Sequence, residues 1–157
     1  MTHDYGLSLW GDSNFIIDSG KVCLNSDLKP ALIDIVKDIR NDGYRGPLLL
    51  RFPHLIKKQI VQVYSSFERA KKEFGYSGTF NAVYPLKVNQ YPGFVENLVK
   101  IGESYGYGLE AGSKAELLLA MAYNNYGAPI TVNGFKDNEL IDIGFIAAEM
   151  GHNITLT

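Results

Sequence analysis

The sequence predicts an α/β fold built from parallel βα units, and two observations carry that prediction. From Phe80 onward, short apolar runs alternate with stretches of helical spacing: strand Phe80 to Leu86, helix Pro92 to Glu103, strand Tyr107 to Glu110, helix Lys114 to Asn124, strand Ile130 to Val132, helix Asn138 to Met150, and a last strand opening at Ile154. Successive strands begin about two dozen residues apart, enough for a crossover helix and too many for hairpins. A doubly wound sheet and an eight-fold barrel share this rhythm, and a barrel typically takes about 250 residues. The chain has 157 and stops at Thr157 inside what reads as a strand, so a truncated chain is expected.

The segments before Phe80 read as follows. Trp10 to Leu24 is expected to form two short strands, with Phe15, Ile17 and Val22, Leu24 alternating around a turn at Asp18-Ser19-Gly20. From Pro30 to Arg40, Leu32, Ile35, Val36 and Ile39 recur at helical spacing, with Ser26 or Asp27 as candidate cap and Gly43 beyond the end. Leu48-Leu49-Leu50, between Gly46-Pro47 and Phe52-Pro53, has the pattern of a strand buried on both faces. A long amphipathic helix follows, its stripe formed by Ile56, Ile60, Val63, Phe67, Ala70 and Phe74 and its end marked by Gly75.

Composition narrows the function. Apolar residues make up 46% of the chain, as in an ordinary globular domain. A net charge of -2 leaves no field to draw nucleic acid or an anionic membrane, so neither partner is expected. Cys23 is the single cysteine, which excludes an intrachain disulfide and favours a reducing compartment. Met1 to Gly11 has neither a basic leader nor an apolar stretch, and no run of about 18 apolar residues occurs. A cytoplasmic location is expected.

The most informative stretch is Phe80-Asn81-Ala82-Val83-Tyr84-Pro85-Leu86-Lys87-Val88-Asn89-Gln90. Pro85 cannot donate to a sheet ladder, so it marks a strand end and puts Lys87 at the carboxyl edge, where βα folds collect catalytic side chains. Partial desolvation there would favour the neutral amine that forms imines. The same position also suits a lysine whose stem packs while its ammonium reaches water.

Four ordered segments resemble one family. Val83 to Gln90 is very similar to the segment that carries the Schiff-base lysine of the biosynthetic arginine decarboxylases, members of the alanine-racemase-like barrel family. Gly108-Leu109-Glu110-Ala111-Gly112-Ser113-Lys114-Ala115-Glu116-Leu117 resembles their next strand and helix start. Val132-Asn133-Gly134-Phe135-Lys136-Asp137 resembles their third strand end, and Leu48 to Pro53 resembles the segment before the cofactor lysine.

The resemblance implies a partial (β/α)8 barrel of the alanine-racemase type over residues 29–157, preceded at 1–28 by a β segment of a second, β-rich domain. It implies that Lys87 holds pyridoxal phosphate as a Schiff base, that L-arginine is decarboxylated to agmatine for spermidine synthesis, and that the complete enzyme is a homo-oligomer with active sites formed between subunits. Magnesium enters only by this resemblance, with no ligand set legible here. Glu110 corresponds to an acidic residue beside the cofactor lysine of related decarboxylases, where it would stabilise the released ammonium; it can equally be an ordinary strand-end charge. Glu116 matches another acidic position, yet Ser113-Lys114-Ala115-Glu116 is a capping box that explains both residues structurally. The family's phosphate cradle and arginine-specific residues lie beyond this sequence, so the isolated chain is expected to have little activity. Two other readings are a non-catalytic pyridoxal-phosphate carrier, against which the early hairpin argues, and a remnant that associates with a longer subunit.

Other chemistries lack support. Gly106, Gly108 and Gly112 miss the dinucleotide-binding spacing by one residue. His3, His54 and His152 have no metal-ligand spacing, and no serine or cysteine lies in a nucleophile motif. Asn133-Gly134 and Lys136 follow a strand and either face the same pocket or form a simple turn.

Overall fold

A computed structural model describes residues 4–157, so His3 lies outside the described residues. The chain divides into two compact units, Met1–Arg51 and Phe52–Thr157.

In the first unit a short helix α1 (Leu7–Trp10) precedes an antiparallel hairpin of β1 (Phe15–Asp18) and β2 (Lys21–Leu24), in register from Phe15↔Leu24 to Asp18↔Lys21. The expected turn is there. Ser19 and Gly20 both take left-handed φ values of 50° and 76°, the geometry whose twist matches that of the paired strands. Trp10 is not in a strand, contrary to expectation. Its indole Nε1 donates to Tyr5 O at 3.0 Å, its ring meets that of Phe15 at 5.3 Å, and positive φ values at Asp12 and Ser13 bend the chain before β1 begins.

Helix α2 (Leu32–Asn41) forms as the apolar spacing predicts, but Ser26 and Asp27 do not cap it. Ser26 to Lys29 is occupied by its own turn, with Lys29 N donating to Ser26 O at 3.1 Å. Leu24 N then donates to Pro30 O, and Ala31 bridges to Cys23, so the chain stays tied to the hairpin until Ala31. Leu48-Leu49-Leu50 belongs to neither sheet, and Leu49 is 72% exposed. An apolar run makes a strand only where a neighbour completes its ladder, and among the described residues none does.

The second unit opens with the long helix α3 (His54–Phe74), whose last turn is closed by Gly75 N donating to Lys71 O. Its apolar stripe is only partly covered. Ile60 is buried, Phe67 stacks on Phe80 at 3.7 Å, and Phe74 is 81% exposed.

The rest of the unit is the predicted βα series: β3 (Val83–Pro85), α4 (Pro92–Gly102), β4 (Gly108–Ala111), α5 (Lys114–Tyr123), β5 (Pro129–Val132), α6 (Asn138–Glu149) and β6 (Asn153–Leu156). The four strands are parallel and lie in chain order, β3-β4-β5-β6, leaving β3 and β6 at the edges. The strand expected from Phe80 begins later, at Val83. Phe80 packs against Tyr64 and Phe67, and Ala82 N is taken by the Tyr64 hydroxyl at 3.2 Å instead of a ladder partner.

Register and pleat sort the side chains by face. Tyr84, Leu109, Ile130 and Ile154 align across the sheet, as do Ala111, Val132 and Leu156. Leu109, Ala111, Ile130 and Val132 are buried with Leu98, Leu117, Ala120 and Leu140 from the helices, so this face holds the core. Alternate positions point the other way. Pro85, Glu110, Thr131 and Thr155 therefore share the opposite face, and Glu110 is the charged member of that row.

Candidate active site

The site lies where β3, β4 and β5 end. β3 stops at Pro85, which lacks an N–H to extend the ladder. The next three residues, Leu86–Val88, form a single 3-10 turn. Leu86 is buried in the core at 1% exposure and anchors the turn, while Lys87 projects from it with its side chain 63% exposed. Lys87 thus sits one turn beyond the strand, mostly exposed in this part of the fold, and a charged neighbour stands beside it.

That neighbour is Glu110. It stands in register with Pro85 and Thr131, its side chain is 16% exposed, and its Oε1 lies 3.6 Å from Lys87 Nζ. Its carboxylate is therefore partly shielded from solvent. The same Oε1 accepts from Asn133 Nδ2 at 3.4 Å, a long hydrogen bond. Asn133 is itself held in place, because its backbone N donates to Ala111 O at 2.8 Å and prolongs the β4–β5 ladder by one step. Its Oδ1 accepts from Gly134 N at 2.8 Å, which turns the amide's donor end toward Glu110.

Gly134 must be glycine here. Its φ is 111°, and a Cβ at this position would come within 2.5 Å of Gly112 O. The close approach brings the turns after β4 and β5 together beside Glu110. Lys136, read from sequence as either a pocket residue or part of a turn, donates its Nζ to Gly134 O at 2.9 Å and so braces this turn.

Ser113 caps helix α5, as the sequence predicts, and Glu116 departs from the capping box in one respect. Glu116 N donates to Ser113 Oγ at 3.3 Å, but the Glu116 carboxylate reaches past Ser113 and accepts from Gly112 N at 2.6 Å. Its other oxygen, Oε1, accepts from Gln90 Nε2 at 2.8 Å. Sequence reasoning missed this contact and the one between Asn133 and Glu110. The second was within reach, since both residues follow adjacent predicted strands; nothing local signals the first.

An exposed amine at the carboxyl edge of a parallel strand, with a carboxylate 3.6 Å away, fits the aldehyde end of pyridoxal phosphate. Among the described residues no group of three or more His, Cys, Asp or Glu side chains could hold a metal ion, and His54 and His152 form no such cluster. No helix among them is long and apolar enough to cross a membrane.

No protein-family model matches the chain. Individual relatives do. It is 37% identical over 158 residues to the biosynthetic arginine decarboxylase of Tolumonas auensis, matching 96% of this chain and 25% of the relative. Identity to the enzyme so named from Prochlorococcus marinus is 38% over 153 residues, covering 94% of this chain and 24% of the relative. For that of Salmonella paratyphi B it is 34% over 163 residues, covering 99% and 26%. The crystal structure of the biosynthetic arginine decarboxylase SpeA from Campylobacter jejuni superposes with a TM-score of 0.93 at 77% identity, over 98% of this chain and 26% of that one. The chain spans about a quarter of the length of these relatives. Over nearly all of its length the chain is similar to about a quarter of the biosynthetic arginine decarboxylases.

Proposed function

We propose that this chain supplies the cofactor lysine, Lys87, of an enzyme that decarboxylates L-arginine to agmatine and carbon dioxide for polyamine synthesis, with pyridoxal phosphate as cofactor. The observation that carries the reading is the Lys87–Glu110 pair at the carboxyl edge of the parallel sheet, in a chain homologous throughout to arginine decarboxylases. When bound, pyridoxal phosphate supplies an electron-accepting ring that takes up the electron pair left by departing carbon dioxide.

Some of the remaining tasks fall to this chain's own residues. Lys87 Nζ would be the amine that holds the cofactor at its aldehyde and makes way for the α-amine of arginine. Once displaced, Nζ can hold a proton and return it, since it stays tethered at the strand end. Glu110, 3.6 Å away, would face the displaced lysine as its ion-pair partner, and Asn133 donates to the same carboxylate oxygen. Lys87 is mostly exposed, and such pairs contribute only about 0–1 kcal/mol to stability. The pair is thus of little use to the fold, which favours a chemical role for it.

The same reading extends to architecture. Four parallel strands lie in chain order, and crossovers of the usual right hand would put their helices on one face, as a closed barrel requires. The polar row Glu110, Thr131, Thr155 would then line the interior mouth. In this reading residues 29–157 belong to the barrel and 1–28 to a second, β-rich domain, the complete enzyme is a cytoplasmic homo-oligomer, and the 157-residue chain alone turns over little or no arginine. The test is agmatine and carbon dioxide production from L-arginine by the complete gene product, with and without added pyridoxal phosphate. Cofactor-dependent release of both supports the proposal; release of neither from a folded, cofactor-saturated protein refutes it.

A further inference from the structure

Glu116 is the buried charged side chain among the described residues, at 9% exposure, and it has no ion-pair partner among them. A buried carboxylate is costly unless its oxygens are hydrogen-bonded. Part of its compensation comes from capping: Oε2 accepts from Gly112 N, and the group sits at the amino-terminal end of α5, whose dipole favours negative charge. Capping does not account for Oε1, which accepts from Gln90 Nε2 at 2.8 Å across 26 residues of sequence.

Gln90 lies at the far end of the segment that carries Lys87. The near end, Leu86, is fixed by burial in the core. Between Gln90 and Lys87, Asn89 Oδ1 accepts from Tyr91 N at 3.0 Å, a bond internal to the segment that does not attach it to the sheet. The Gln90–Glu116 bond does attach it. Through Gly112 N it leads to the end of β4, two residues past Glu110. It therefore spans the same two strand ends as the Lys87–Glu110 pair, from the buried side.

We propose that Gln90 is a positioning residue for Lys87, acting through the buried carboxylate of Glu116 to hold the Lys87 turn against the end of β4. The inference rests on the reading of Lys87 as the cofactor amine. The tie sets the distance between that amine and Glu110, and a displacement of about 1 Å at a reacting group can cost on the order of a hundredfold in rate.

A polarity swap tests this. Gln90→Glu places two carboxylates in contact and breaks the tie. Adding Glu116→Gln restores it in reverse, because the introduced amide can still accept from Gly112 N while donating to the introduced carboxylate. The measurement is the rate at which limiting pyridoxal phosphate plus borohydride labels Lys87 in the complete gene product, read by peptide mapping, with circular dichroism to show that each variant is folded. Gln90→Glu should slow labelling by about tenfold, the scale of one charge-assisted hydrogen bond, and the double variant should recover to within about threefold of the parent. Parent-like labelling of Gln90→Glu, or a double variant as slow as the single, overturns the inference and leaves the role of Lys87 standing. A parent that does not label at Lys87 overturns both.

Discussion

Lys87 Nζ and Glu110 Oε1 lie 3.6 Å apart although their residues belong to successive βα units, because Glu110 is the next-to-last residue of β4 and Lys87 occupies the turn that follows β3 beside it. Register brings them together. Tyr84↔Leu109 and Pro85↔Glu110 set the two strands so that both ends finish on the same edge.

Lys87→Ala should abolish cofactor attachment and turnover in the complete gene product and leave folding almost untouched. The side chain is 63% exposed, and surface substitutions of that kind usually shift stability by less than about 0.5 kcal/mol. Absorbance of bound pyridoxal phosphate and thermal unfolding, measured together, separate the two effects. A loss of stability of several kcal/mol would mean that the lysine is structural.

Glu110→Gln removes the charge and keeps the shape. Turnover should fall by about a hundredfold, the low end of the range ascribed to a positioned acid–base partner. Asn133→Asp should act in the same direction, since it replaces the donor facing Glu110 with a like charge. Initial rates on L-arginine test both, and full activity in Glu110→Gln would remove Glu110 from the chemistry.

Gly134→Ala should destabilise the unit by about 1–3 kcal/mol, from a left-handed φ of 111° and a Cβ aimed at Gly112 O. Denaturant unfolding measures it. Little change would mean that the turns after β4 and β5 separate easily, and that Asn133 is not fixed beside Glu110.

Burial pushes the Tyr107 hydroxyl above the ordinary tyrosine value of 10.0, with the nearby Tyr64 and Tyr84 adding to the effect. The folded state therefore holds this proton more tightly than the unfolded chain. Its contribution is fully present below pH 10.0 and is lost as pH rises through the folded-state value. Tyr107→Phe should flatten the fall in stability on the alkaline side, seen as a smaller drop in Tm between neutral pH and the alkaline range. An unchanged slope would assign the alkaline loss to other groups.

The βα series was legible because its helices carry their own signals, such as Ser113 before α5, which caps as its residue type predicts. Lys87 was legible because Pro85 must end a strand. What sequence could not yield were features that depend on distant partners. Leu48-Leu49-Leu50 has the composition of a strand but lacks a ladder neighbour, and Ser26 and Asp27 are consumed by a turn that ties Pro30 to the hairpin. The exposure of Lys87 and the bond from Gln90 to Glu116 depend on how two βα turns meet, which no local pattern encodes.

The central claim is that Lys87 is the amine that holds the cofactor. Borohydride reduction of the complete gene product with stoichiometric pyridoxal phosphate, followed by intact mass and peptide mapping, tests it most directly. The account predicts one pyridoxyl group per chain, on Lys87, and its loss in Lys87→Ala. An adduct spread over several surface lysines, or one concentrated elsewhere with Lys87 unmodified, would contradict it.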